Sequence, residues 1–450
     1  MLLQFSVSNY RCFRKRVTLH CAASGQDKSL PDNVIERKLP GVSDKRWLKG
    51  IALYGANASG KSTVLSALRA FQQLVLLSAK ITDRKEPIAQ IEPFALCPGQ
   101  SPEPTAFAVV FVMQGIRYEY RVAATRERIW HESLRAVPKS KEQLWFSRDY
   151  HPESDSYHFS PERPSGFKRD PQLEGYTLPN VLFLSKAIAN NRTDLEPIFL
   201  WLTAQLRFLD LSAGNLLGLN YLMTAEQVAS RSPLSLRILE LMRHADLGIV
   251  DARITELFQV KSVEEQLKIF PPEIQTKLRE SKIPIPELAH RGTADAAVPL
   301  PWSSESVGTQ RFFSLVGPWL DILQHGYTVC IDELETSMHP LMVRELLRLV
   351  FSAQANARGA QLLFTTHNPL LLDPTLLRRD QIWFTDKDEQ GEAHLYPLTD
   401  YQPRKGESLI RGYLSGRYGA VPFLPDGLLG AFGGMASGRD GKSRGESSDE

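Results

Sequence analysis

Lys61, Ser62, Asp332, Glu333 and His367 are the residue types that phosphoryl transfer requires. A lysine neutralises phosphate oxygens. A hydroxyl and a carboxylate can share a hard divalent cation, and a second carboxylate or an imidazole can orient a water and take its proton. The first two close the octapeptide Gly55-Ala56-Asn57-Ala58-Ser59-Gly60-Lys61-Ser62, which fits the phosphate-loop pattern of a glycine, four residues and Gly-Lys-Ser. Its glycines let the backbone turn tightly and aim N–H groups at phosphate oxygens, and a helix behind it offers its positive end. Lys61 can then reach the β and γ phosphates, and the Ser62 hydroxyl can ligate Mg²⁺.

Asp332-Glu333 follows the apolar run Gly326-Tyr327-Thr328-Val329-Cys330-Ile331. An acid at the carboxyl end of a buried strand can hold Mg²⁺, and the next acid can polarise a water attacking the γ-phosphate. Two adjacent acids can also form a plain turn, but the strand is strongly apolar and a phosphate loop stands upstream. His367 closes a third run, Gln361-Leu362-Leu363-Phe364-Thr365-Thr366. A strand-end histidine in isolation needs no ligand. Beside the other two motifs it becomes a candidate contact to the γ-phosphate or to the attacking water. Ser304-Glu305-Ser306-Val307-Gly308-Thr309-Gln310-Arg311 precedes a helical pattern beginning near Phe312, so Ser306, Gly308 and Thr309 mark a second anion site at a helix N-terminus. One nucleotide needs only one such site from each subunit. The expectation is a head-to-tail homodimer in which each chain's second site covers its partner's nucleotide, a closed two-fold arrangement.

These residues need elements to hold them. Ile51-Ala52-Leu53-Tyr54 reads as a buried strand before the phosphate loop, and Thr63 to Phe71 carries helical spacing behind it. Residues 1–23 alternate as an antiparallel pair. Ala106–Val112, Arg117–Val122 and Arg128–Arg135 read as a β-meander. From 179 to about 260 the spacing turns helical, and the prolines of 271–300 suggest an irregular segment. The expected organisation is therefore 1–178 as the N-terminal part of a nucleotide-binding head, 179–300 as an inserted helical arm with an irregular segment, 301–424 as the C-terminal part of the head and 425–450 as a disordered tail. Asp386-Lys387-Asp388, between two apparent strands, reads as a hairpin turn rather than a nuclease site.

Composition sets the outer bounds. Lys and Arg total 53 against 51 Asp and Glu, a formal charge of +2, so there is no global footprint for nucleic acid. The local cluster Arg11, Arg14, Lys15 and Arg16 reads as a solvated turn between strands. The 4 cysteines form no Cys-x-x-Cys pair and suggest neither a zinc site nor a disulfide framework. The opening residues form a strand pattern rather than a signal peptide, no run is long enough to cross a membrane, and the expected compartment is a reducing cytoplasm.

The order of phosphate loop, Ser-x-Gly-Thr-Gln signature, Asp-Glu pair and strand-end histidine resembles the ABC-type ATPases of the SMC and RecF kind. Asn57 and the opening Phe5-x-Val7-x-Asn9-Tyr10-Arg11-x-Phe13 add to that likeness. The chain is more closely similar to the AAA-labelled ATPases of the bacterial abortive-infection type, the RloA-like relatives of the OLD and PARIS ATPases. The residues that carry this are the octapeptide, Ile91-Glu92-Pro93-Phe94, Glu305–Thr309, Asp332–Pro340, Phe364–Pro369, Asp380–Phe384 and Gly412–Ala420. The resemblance implies an α/β fold: an ABC-type P-loop ATPase head, with a mixed sheet and an antiparallel β-subdomain, carrying an inserted helical arm. It implies ATP and Mg²⁺ as ligands, with slow hydrolysis to ADP and phosphate. Residues 55–63 and Arg11 would contact the nucleotide, Ser62 and Asp332 the metal, and Lys61, Glu333 and His367 would serve catalysis. Ser306, Gly308 and Thr309 would act in trans. The usual glycine after the loop asparagine is Ala58 here, and Gln90 is the candidate for the lid glutamine. The function implied is an ATP-driven switch in antiphage defence that controls a separately encoded RloB-like or Toprim-type effector. The alternative is a RecF- or SMC-like repair ATPase that binds duplex DNA.

Overall fold

The computed structural model describes residues 1–96, 103–162, 166–210, 219–245, 248–256, 284–293, 296–404 and 406–421. The expected tail, 425–450, lies outside them. Strand β1 (Leu2–Ser8) pairs antiparallel with β2 (Val17–His20). A small hairpin, β3 (Val34–Glu36) and β4 (Arg46–Leu48), leads to β5 (Gly50–Gly55), which is buried throughout, and to helix α1 (Lys61–Ser78). A meander follows: β6 (Thr105–Met113), β7 (Ile116–Ala124), β8 (Ile129–Val137), β9 (Gln143–His151) and β10 (Ser156–Ser160). Short helices α2 (Pro171–Tyr176), α3 (Phe183–Ala189) and α4 (Glu196–Leu200) run into β11 (Leu206–Leu209). Then come α5 (Leu219–Ala229), α6 (Pro233–His244), β12 (Ile249–Glu256), β13 (Pro284–Arg291) and β14 (Ala297–Leu300). The chain ends its described course with α7 (Val307–His325), β15 (Thr328–Ile331), α8 (Pro340–Phe351), β16 (Gln361–Thr365), β17 (Ile382–Lys387), β18 (Ala393–Pro397) and α9 (Leu409–Leu414).

Two large sheets organise the molecule. One has seven antiparallel strands in the order β10-β9-β8-β7-β6-β1-β2. Its alternation is clear in β7, where Tyr118, Tyr120 and Val122 are buried while Arg117, Glu119 and Arg121 face the other way. Gln114 and Gly115, both at positive φ, make the two-residue turn between β6 and β7. The other sheet has six strands in the order β11-β15-β16-β5-β17-β18, parallel except for β18. The fold is α/β as expected, a mixed sheet beside an antiparallel β-subdomain.

Helix α1 is packed between the sheets. Val64, Leu65, Leu68, Phe71 and Val75 recur at helical spacing and are buried. Phe71 stacks on Phe107 and Tyr120 of the antiparallel sheet, with ring centroids 5.3 and 5.6 Å away. Leu53, Cys330 and Leu363 of the parallel sheet belong to the same core. Helices α7 and α8 cover the opposite face, where Phe313, Trp319 and Leu347 join Ala52, Tyr54, Ile331 and Phe364 in a second core.

The insertion departs from its expected form in two places. Residues 179–209 pack on the head rather than on an arm. Helix α3 begins on the fully buried carboxylate of Glu132, which accepts the N–H groups of Phe183 at 2.6 Å and Leu184 at 2.9 Å. Gln72 of α1 donates to the carbonyls of Leu202 and Leu206, and β11 completes the parallel sheet beside β15. The helical spacing at 195–202 belongs to α4 and a π-turn at Trp201–Gln205. Residues 249–256, at the end of the stretch expected to be helical, are strand β12, and it pairs with β13 and β14 of the segment expected to be irregular in a three-stranded sheet. Pro284 and Pro286 lie in the part of β13 that pairs only with β12, because β14 pairs with residues 288–291. A strand edge without a second neighbour tolerates a missing N–H.

Helices α5 and α6 do form a helical layer, and α5 crosses α7 closely. A side chain at Gly317 would collide with Thr224 and Gln227. Pro318, inside α7, has no N–H for the carbonyl of Ser314. The Thr224 hydroxyl lies against that place, 3.4 Å from Ser314 O and 3.2 Å from its own helix's Asn220 O, and it accepts the Gly317 N–H at 3.2 Å.

Candidate active site

Parallel strands align their carboxyl ends, so the segments that follow β5, β15 and β16 meet at one edge of the sheet. Those segments are the phosphate loop, Asp332-Glu333 and Thr366-His367. The loop is held from both sides. Ser59 Oγ lies 2.6 Å from Thr385 Oγ1 on β17. A Cβ at Gly55 would strike Ser59 and Thr385. Gly60 turns at φ 115° with Cys12, Phe13 and Ala393 packed beside its Cα. Ala58 occupies the left-handed region at φ 62° with an exposed side chain.

Lys61, the first residue of α1, is buried, and its Nζ donates to the loop carbonyls of Gly55 at 3.0 Å and Ala56 at 2.8 Å. Burial lowers its pKa from the usual lysine value, while Asp332, Glu333 and Glu335 oppose that shift. One residue on, Ser62 Oγ donates to Asp332 Oδ1 at 2.8 Å. This hydroxyl–carboxylate pair at the first turn of a helix, beside the glycine-rich loop, is a hard-oxygen set that fits Mg²⁺ together with phosphate oxygens. Asn57 is exposed on the loop and Thr63 sits partly exposed on the first turn of α1.

Glu333 follows in a left-handed backbone conformation, φ 49°, with its side chain half exposed. Its Oε1 lies 3.9 Å from His367 Nε2, and its Oε2 accepts the Thr336 hydroxyl at 3.1 Å. The His367 backbone N–H donates to Glu335 Oε1 at 2.5 Å. Glu335 thus ties the segment after the acid pair to the segment after β16.

Ser306 caps α7, its Oγ accepting the Thr309 N–H at 3.1 Å and lying 2.9 Å from Thr309 Oγ1. Gly308 packs against the turn after the acid pair, where a Cβ would come within 2.8 Å of Ser337 O. Arg311, one turn further along, donates to Thr336 O at 2.5 Å. Within one chain the signature residues are therefore attached to the back of the acid turn. Arg11 is placed otherwise than as a free phosphate contact. Its guanidinium makes two 2.8 Å hydrogen bonds to the Glu92 carboxylate, which raise its pKa, and its backbone N–H donates to Glu92 O at 2.8 Å.

Thr365, Glu335, Thr336 and Arg311 carry hydrogen bonds here to which the sequence reading gave no role. Thr365 was visible only as a hydroxyl residue at the end of a buried apolar strand beside the acid pair. Cys12, Cys21 and Cys330 are free thiols. Among the described residues no group of three or more His, Cys, Asp or Glu could hold a metal, and no helix is long and apolar enough to cross a membrane.

No curated protein matches the chain. Among solved structures, a crystal structure of an SMC head bound to the C-winged helix domain of ScpA aligns at 12% identity over 88% of this chain and 96% of that one, with a TM-score of 0.45. The SMC head domain from Thermotoga maritima aligns at 12% identity over 88% and 98%, with a TM-score of 0.38. A family model described as "AAA domain, putative AbiEii toxin, Type IV TA system" matches residues 51–373. That span runs from β5 and its phosphate loop through the signature helix and the acid turn to just past His367, and the chain belongs to this family of AAA-domain ATPases.

Proposed function

We propose that this chain is an ATP-hydrolysing switch of a bacterial abortive-infection system. The observation that carries the reading is the junction of Ser62 with Asp332, because it joins the phosphate loop to the acid turn at 2.8 Å. In this proposal Lys61 exchanges its loop carbonyls for the β and γ phosphates, and Ser62 and Asp332 hold Mg²⁺. The metal, when bound, offsets the charge of the β and γ phosphate oxygens. Glu333 takes the proton of the attacking water, and His367 steadies the γ-phosphate side of the same space. Ser306, Gly308 and Thr309 cover the nucleotide of a second copy. Their attachment to the acid turn through Ser337 and Arg311 supports this, since closure at one site is then felt at the other. The toxin–antitoxin description of the family and the RloA-like motifs support a separately encoded effector as the output.

Replacing Glu333 with Gln tests the assignment. The variant should bind ATP, accumulate as an ATP-dependent dimer on sizing columns and lose turnover by about a hundredfold or more. Lys61→Ala should lose ATP binding itself. Glu333→Gln with parental turnover would refute the base assignment.

A further inference from the structure

Thr365 ends β16 with no exposed surface, and both capacities of its hydroxyl are used on the acid turn. The oxygen accepts the N–H of Glu333 at 2.7 Å, and the hydroxyl proton is donated to Asp332 Oδ1 at 2.6 Å. Its carbonyl accepts the Leu334 N–H at 3.2 Å. One residue on a neighbouring strand therefore grips three consecutive residues of the turn.

Each grip has a chemical consequence. Asp332 Oδ1 receives two donors, Thr365 Oγ1 and Ser62 Oγ, so the carboxylate is held in one rotation and Oδ2 is the oxygen left for a cation. Glu333 sits at φ 49°, a conformation that most residues avoid, and its N–H is the group that Thr365 fixes. The direction of the Glu333 side chain, 3.9 Å from His367, follows from that backbone. The hydroxyl can do both jobs at once because it is a donor and an acceptor in one atom. A valine of the same shape would do neither. It would leave a buried N–H and a carboxylate lone pair without their partner.

We propose that Thr365 is a positioning residue for the hydrolytic step, acting through its hydroxyl on the metal-side and base-side acids together. This rests on the ATPase reading above. The test compares Thr365→Val, which keeps the shape, with Thr365→Ser, which keeps the hydroxyl. Steady-state ATP turnover is measured against ATP and against Mg²⁺, beside equilibrium binding of a fluorescent ATP analogue in EDTA. Thr365→Val should lower kcat about tenfold or more and raise the Mg²⁺ requirement several-fold, while metal-free analogue binding stays within about twofold. Thr365→Ser should keep kcat and the Mg²⁺ requirement near those of the parent. If Thr365→Val does not fold, the serine variant decides. A packing role predicts that serine, which lacks the γ-methyl, is impaired, and a hydroxyl role predicts parental chemistry. Thr365→Val with the parent's kcat and Mg²⁺ dependence, or a serine variant as impaired as the valine, would overturn the proposal. A parent protein with no Mg²⁺-dependent turnover would instead overturn the ATPase reading.

Discussion

Replacing Glu132 with Gln should be among the most destabilising single-atom changes in this protein. The carboxylate has no exposed surface and receives three donors. Leu184 N–H and Tyr120 Oη converge on Oε1, each at 2.9 Å, and Phe183 N–H meets Oε2 at 2.6 Å. Arg148, directly opposite on β9 and equally buried, donates to Val181 O at 2.7 Å and Leu178 O at 2.9 Å. Acid and base together clamp both polarities of the backbone where α3 begins. Glutamine keeps one acceptor oxygen. Its amide nitrogen then faces the Phe183 N–H, which orphans a buried donor at about 2 kcal/mol. The buried guanidinium also loses the charge that faces it; the two groups are not in ion-pair contact, so the further cost is roughly 2 kcal/mol, below the roughly 3–5 kcal/mol of breaking a buried contact pair. The expected loss is about 4 kcal/mol, a large part of the roughly 5–15 kcal/mol that holds a typical domain folded. Urea unfolding should show a lower midpoint with an unchanged slope. Adding Arg148→Met should cost less than the sum of the two single changes, because the second removes the charge that the first strands. A loss under about 1 kcal/mol, or strict additivity, would refute the reasoning.

Ala58→Gly should stabilise the protein by about 0.5–1 kcal/mol, since Ala58 holds φ 62° with nothing packed on its exposed methyl, and a Tm that falls would contradict this. Phe71→Ala should destabilise by about 3–5 kcal/mol, because the ring stacks on Phe107 and Tyr120 between the two sheets, and the same urea series measures it.

Much of the head is legible in the sequence because its signals are local. The β5 run, the glycines of the phosphate loop and the spacing of α1 each lie within one stretch of chain, and the hairpin β17–β18 follows the same logic, although Asp386 and Lys387 belong to β17 and the turn begins only at Asp388. The acid pair and His367 could be placed because each terminates an apolar strand. What escaped depends on partners far along the chain. Leu206–Leu209 is a strand only because β15 offers it an edge, so its four residues carry no pattern of their own. The prolines at 284 and 286 speak against a strand until the one-sided pairing of β13 is known. Arg11 resembles a free phosphate contact until Glu92, 81 residues away, takes its guanidinium. The role of Thr365 is invisible without the register that sets it against Asp332.

The position of β5 between β16 and β17 has a consequence for how the protein is made. Both neighbours of the strand that carries the phosphate loop leave the ribosome some three hundred residues after it. Until then β5 has two open edges in a strongly apolar sequence, the kind of surface that invites wrong pairing. The contact between Ser59 and Thr385 cannot form before that point either. A nascent chain of this protein thus emerges with its nucleotide loop unfinished. The loop is complete only once β17 has been made, and a chain truncated before residue 382 should not bind nucleotide.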